Sequence, residues 1–210
     1  MPTLEQARAW YPTADPVHGF DHVERVYRTA ERLAQAEGAD LEIVRAAALL
    51  HDVHGSDPND EHRADHHEQS AAAAGEILAA EGWAPERIQA VQDCIRAHRF
   101  RGGQAALTLE AQVLFDADKL DVLGAIGAAR TIAYAVLAGQ PHYAPPSQRF
   151  LAHGEEEPGE PHSAYHEYLF KLRRVKDRLH TASARRIAET RHAALVAFFE
   201  SLTAEMEGRA

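Results

Sequence analysis

The chain is short of several things, and each shortage closes off an answer. It has one cysteine, Cys94, in 210 residues; no internal disulfide can form, and a lone thiol fits a reducing compartment. No stretch approaches the roughly 18 apolar residues that a membrane span needs, and the opening Met1-Pro-Thr-Leu-Glu-Gln-Ala-Arg has no apolar signal core. Strand-like alternation of useful length and internal repeats are absent. Positive charge is outnumbered, with 22 Lys and Arg against 32 Asp and Glu for a formal net charge of -10, so a nucleic-acid backbone would be repelled over most of the surface. The expectation is a soluble, cytoplasmic protein with no nucleic-acid or membrane partner. The oligomeric state cannot be read this way.

What is present is the material of helices. Apolar residues make up 45% of the chain, Ala, Leu, Glu and Arg are abundant, and the length suffices for one well-filled core. Thr3 and Gln6 have capping-box spacing for a short first helix. Further helices are expected from about His18 to Glu37, stopped by Gly38, and from an Asp40 cap to about Val53. Asp65 and Glu68 have capping-box spacing for a helix ended by Gly82. Pro85 opens a helix to about His98, Thr108 opens a segment that continues in helix to about Ala138, and two more run from about Ala164 to Leu179 and from Ser183 to Glu205. Five prolines and the run Glu155-Glu156-Glu157 make regular structure unexpected between Gly139 and Ser163. So long a connection is either a functional lid or a disordered insertion. The fold class expected is all-α: one helical domain over residues 1–206, with a frayed tail at 207–210 and one long loop at about 139–163.

Polar groups interrupt the apolar faces. Val44, Ala47, Ala48 and His51 fall at i, i+3, i+4 and i+7, which puts His51 on a buried stripe. His22 shares a face with Val26, Ala30 and Leu33, and Asp118 with Leu114, Val122 and Ala125. A buried ionised carboxylate is costly unless paired or bound to metal. Taken one at a time, an inward histidine is usually a hydrogen-bonded core residue and a lone aspartate usually a cap. Together, His22, His51, Asp52 and Asp118 form a ligand set suited to Mn²⁺, Mg²⁺, Fe²⁺, Co²⁺ or Ni²⁺. Four protein ligands on an octahedral ion leave room for water and a phosphate oxygen, which points to hydrolysis.

Several stretches resemble the HD-domain superfamily of metal-dependent phosphohydrolases, whose signature is a His, an adjacent His-Asp and a distant Asp. They are His18-Gly-Phe-Asp-His-Val-Glu-Arg-Val, Ala47-Ala-Leu-Leu-His-Asp, Arg96-Ala-His-Arg-Phe-Arg-Gly-Gly and Asp116-Ala-Asp-Lys-Leu-Asp-Val-Leu-Gly-Ala-Ile-Gly. The resemblance covers nearly the whole chain, and its closest pattern is a small bacterial branch that includes nucleoside triphosphate pyrophosphohydrolases. It implies an HD-type helical bundle, one divalent ion on His22, His51, Asp52 and Asp118 with Mn²⁺ preferred, and conversion of a (deoxy)nucleoside triphosphate to monophosphate and pyrophosphate. Asp52, Asp118, His66 and His98 are the catalytic candidates. His66 and His98 occupy positions where some members carry a second metal, and His67 is an alternative to His66. His18, Arg99 and Lys119 are candidate contacts to a nucleotide substrate. Two rival readings stay open: a phosphomonoesterase on nucleoside monophosphates, and a nucleotide- or metal-binding regulatory module without turnover. Cys94 and Ser70 have no recognisable base and orienter, so covalent catalysis is not expected.

Overall fold

A computed structural model describes residues 1–11, 19–54, 65–99 and 104–209. Among these residues there is no strand, and the class is all-α as expected. The helices are α1 (Leu4–Arg8), α2 (Phe20–Glu37), α3 (Leu41–Leu50), α4 (His66–Ala80), α5 (Pro85–Ala97), α6 (Leu109–Leu120), α7 (Gly124–Leu137), α8 (Gln148–His153), α9 (Ala164–Phe170) and α10 (Ala182–Met206), with a 3₁₀ helix at Leu172–Arg178. The chain divides into two compact units, Met1–Lys119 with Leu179–Ala184, and Leu120–Arg178 with Arg185–Ala210. No single described helix is long and apolar enough to cross a membrane.

The first unit is organised around α3. Its short, apolar sequence is buried from Ala46 through Leu50, and it packs against α2 and α5. Asp40 caps it as expected, its Oδ1 accepting from the amides of Glu42 and Ile43 at 3.0 and 3.1 Å. Arg87 of α5 grips the same carboxylate, which ties the start of α3 to its neighbour. α2 buries Val23, Val26, Ala30, Leu33 and Ala34 along one face and ends at Gly38, whose φ of 79° donates its amide to Ala34 in the left-handed cap the sequence announces. Each fully buried leucine or isoleucine, such as Leu33, Leu49, Leu50 and Ile95, contributes about 1.5–3 kcal/mol. The Asp65–Glu68 capping box does not form. Asp65 precedes α4 at φ -114°, ψ 9° without a side-chain cap, and Glu68 instead accepts from Arg96 of α5 at 3.0 Å.

The second unit is built from α7, α8, α9, the 3₁₀ helix and most of α10. The segment from Gly139 to Ser163, expected to lack regular structure, contains α8. Ser147 caps that helix through Phe150, and the Glu160 carboxylate gathers the amides of Ser147 and Glu157 at 2.6 and 2.7 Å and His166 Nε2 at 3.0 Å. Side-chain acceptors here replace the backbone ladder that proline denies. The helix expected over Ala164–Leu179 changes character after Phe170, because Leu172 and Val175 are spaced for the three-residue turn of a 3₁₀ helix and both face inward. Tyr168 stacks on Phe199 at 4.4 Å between ring centres.

Candidate metal centre

Five short pieces of the first unit deliver the site's side chains. His22 lies in the first turns of α2, His51 and Asp52 follow the last turn of α3, His66 is the first residue of α4, His98 follows α5, and Asp118 sits in the last turn of α6. Helix ends suit this role, since a turn of well-packed helix fixes the side chain while its tip points into the shared space.

The donor atoms converge. His22 Nε2 lies 3.4 Å from His51 Nε2, 3.5 Å from Asp118 Oδ1 and 3.8 Å from Asp52 Oδ2, and His51 Nε2 lies 3.6 Å from Asp52 Oδ2. On the other side of the same carboxylate, Asp52 Oδ1 faces His98 Nε2 at 3.4 Å and His66 Nε2 at 3.7 Å. Asp52 therefore stands between two groups that could each hold a cation, His22–His51–Asp118 and Asp52–His66–His98. Such separations are those of ligand atoms bonded at about 2.0–2.2 Å to a common ion.

The imidazoles are set for that purpose by their own helices. His51 Nδ1 lies 2.9 Å from the carbonyl of Ala48 and His98 Nδ1 2.5 Å from that of Ile95, in each case the carbonyl three residues back. A carbonyl only accepts, so Nδ1 carries the proton and Nε2 turns a lone pair toward the centre. Asp52 Oδ1 is buried with no hydrogen-bond partner among the described residues, a costly state for a carboxylate oxygen that a cation relieves.

The electrostatics agree. Burial pushes the His51 imidazole down to about 4, with the Asp52 and Asp118 charges only partly opposing it. Burial works to raise both carboxyls, yet His51, His98 and His22 hold Asp52 well below the usual carboxylate range, and Lys119 with the same imidazoles does so for Asp118. Two buried carboxylates then face one ammonium, and the net deficit of positive charge is what a divalent ion supplies.

Other candidates fall in place unevenly. Of the two adjacent histidines, His66 faces Asp52, whereas His67 is turned toward Glu68 at 3.9 Å. Lys119 is not a solvated flank lysine: its Nζ is bonded to Asp118 Oδ2 at 2.5 Å and lies 5.4 Å from the Phe115 ring centre. Arg99 is half-buried, and its charge reaches His67. His18 lies outside the described residues. Asp121 belongs to the second unit and accepts from Arg130 at 2.7 Å. Cys94 is buried, and desolvation raises its thiol to about 12, which removes it as a nucleophile.

Two residues have roles that the sequence did not assign. Asp116, two positions before Asp118, is fully buried and accepts from the amides of His180 and Thr181 and from the Thr181 hydroxyl. Its place on a face unlike that of Asp118 was the available signal. Tyr11 is buried near the site, and desolvation with the Asp52 charge holds its phenol well above the ordinary range.

Comparison with known proteins gives consistent results. The family model described as HD domain matches residues 19–123. The Bacillus subtilis protein YpgQ is 32% identical over 97% of this chain and 94% of its own. The crystal structure of YpgQ in complex with ADP superposes with a TM-score of 0.75 at 29% identity, covering 99% of this chain and 100% of that one. An HD-superfamily hydrolase from Bacillus thuringiensis gives a TM-score of 0.68 at 28% identity, covering 97% of this chain and 96% of that one.

Proposed function

This chain belongs to the HD domain family and is a metal-dependent phosphohydrolase, and from that premise we propose that it cleaves a (deoxy)nucleoside triphosphate to the monophosphate and pyrophosphate. The observation that carries the reading is the convergence of His22, His51, Asp52 and Asp118 donors in one buried centre. These four would hold one divalent cation, Mn²⁺ in preference to Mg²⁺, Fe²⁺, Co²⁺ or Ni²⁺, and when bound it would supply Lewis-acid stabilisation of phosphoryl charge and activation of water near neutral pH.

The surrounding residues have complementary tasks. His66 and His98 aim Nε2 at the free side of Asp52, where each, as an imidazolium, would donate to a phosphate oxygen or pass a proton to the departing pyrophosphate. Lys119 holds Asp118 in place and, with Arg99 and His18, is proposed to meet phosphate charge. Water adds to the α-phosphorus, and the bond from that phosphorus to the bridging oxygen of the β-phosphate breaks, so pyrophosphate leaves with its electron pair. The ADP complex of YpgQ supports a nucleotide as the small-molecule ligand. The lone, buried Cys94 suits a cytoplasmic setting.

Product analysis tests the proposal. Metal-stripped protein, resupplied with Mn²⁺, Mg²⁺ or Co²⁺, is expected to release pyrophosphate and nucleoside monophosphate from a triphosphate. Orthophosphate with free nucleoside from a monophosphate would move the assignment to a phosphomonoesterase. Cation and nucleotide binding without any product would make the chain a binding module.

A further inference from the structure

We infer that Tyr11 is a positioning residue of the metal centre, fastening the end of α3, which carries His51 and Asp52, to the start of α2, which carries His22. The inference rests on the metal reading above. Tyr11 lies beyond the end of α1 and is 5% exposed. Its ring packs against Phe20, the first residue of α2, at 5.6 Å between centres, and its hydroxyl donates to the carbonyl of Leu49 at 2.8 Å. The same phenol lies close enough to Asp52 to feel its charge. One side chain thus bridges the two segments from which three of the four proposed ligands project.

The hydroxyl answers a specific need. A helix leaves its last carbonyls without intrahelical donors, and at the end of α3 these are met one by one. His51 Nδ1 takes Ala48, Tyr11 takes Leu49, and the amide of Val53 takes Leu50 at 3.4 Å. The chain leaves the helix here, so the Leu49 carbonyl is held by the phenol hydroxyl rather than by a continuing helical turn. A phenylalanine would fill the same space against Phe20 but leave the Leu49 carbonyl without that donor. The distinguishing property of Tyr11 is therefore its hold on the end of α3, from which the two oxygens of Asp52 face the two donor groups.

The test is Tyr11→Phe, read by calorimetric titration of the metal-stripped protein with Mn²⁺, with helical circular dichroism as the control for folding. The expected result is a cation affinity weaker by roughly 10-fold or more, the usual effect of losing a partner that orients a ligand, with the helical signal retained. In an Asp52→Asn background the same change should have a much smaller effect, because the two residues act through one another. An affinity within about twofold of the parent, or the same loss in both backgrounds, would overturn the assignment. If the parent binds no Mn²⁺, or Asp118→Ala binds it as tightly as the parent, the metal reading itself fails and takes this one with it. Failure confined to the Tyr11 variants leaves that reading intact.

Discussion

His22 Nε2 and Asp118 Oδ1 lie 3.5 Å apart, brought together from α2 and α6. An imidazole nitrogen and a carboxylate oxygen at that separation are placed to ligate one cation. Asp118→Ala and His51→Ala are accordingly expected to lower cation content and to reduce turnover on the order of 100-fold, with helical circular dichroism retained. Full turnover in both variants, measured beside their metal content, would remove these residues from the site.

Asp116 should behave in the opposite way. It accepts three hydrogen bonds from His180 and Thr181 within the first unit, so Asp116→Ala strands buried donors and is expected to cost about 3 kcal/mol. That corresponds to a fall in the thermal midpoint of roughly 6–12 °C. The loss of Mn²⁺ affinity should be far smaller than for Asp118→Ala. A stable variant with abolished binding would reverse the roles assigned to the two aspartates.

Glu160 makes the second unit sensitive to acid. Hydrogen bonds from Ser147, opposed by burial and supplemented by the Glu157 amide and His166, hold its carboxyl at about 2, below the ordinary 4.5. Between those values the unfolded chain binds more protons than the folded one, so stability rises with pH. The contribution is complete above pH about 4.5 and disappears as pH falls toward 2. Thermal midpoints of parent and Glu160→Gln should be furthest apart above that window and converge below it. Parallel curves across the window would show that Glu160 carries no such linkage.

Gly127 has no room for a side chain. A Cβ there would lie 2.2 Å from the carbonyl oxygen of Val122, a backbone atom that cannot swing aside. Gly127→Ala should therefore destabilise by about 3 kcal/mol, whereas at Gly75 the nearest atom is the end of the flexible Gln92 side chain, so Gly75→Ala should cost less. Chemical denaturation of the two variants gives the comparison, and equal losses would refute it.

Periodicity made the helices and the inward direction of His22, His51 and Asp118 legible, because 3.6-residue spacing fixes which side chains share a face. It could not choose between His66 and His67, which stand about 100° apart on the helix; that depends on where α4 begins, and α4 begins without the Asp65 cap that its spacing suggested. Nor could it foresee α8, whose enclosing segment is held by Glu160 through contacts within the loop. Gly124 and Gly127 fall inside a helical pattern, where a glycine can allow close helix approach. Gly124 does sit under Arg191 of α10, while Gly127 makes room for the chain's own turn at Val122. Tyr11 escaped notice because its bond to Leu49 joins positions with no shared pattern.

The turns that aim His51 and His98 use the carbonyls of Ala48 and Ile95, and a carbonyl belongs to every residue type. No exchange of side chain at either position can delete the acceptor. The proton on each imidazole is therefore insured against drift in the surrounding sequence, while the direction of Asp52, which leans on a phenol that one substitution can remove, is not. Exchanges at Ala48 and Ile95 are then limited by packing alone, whereas exchange at the tyrosine also removes a donor, so that the more replaceable-looking residue is the more exacting one.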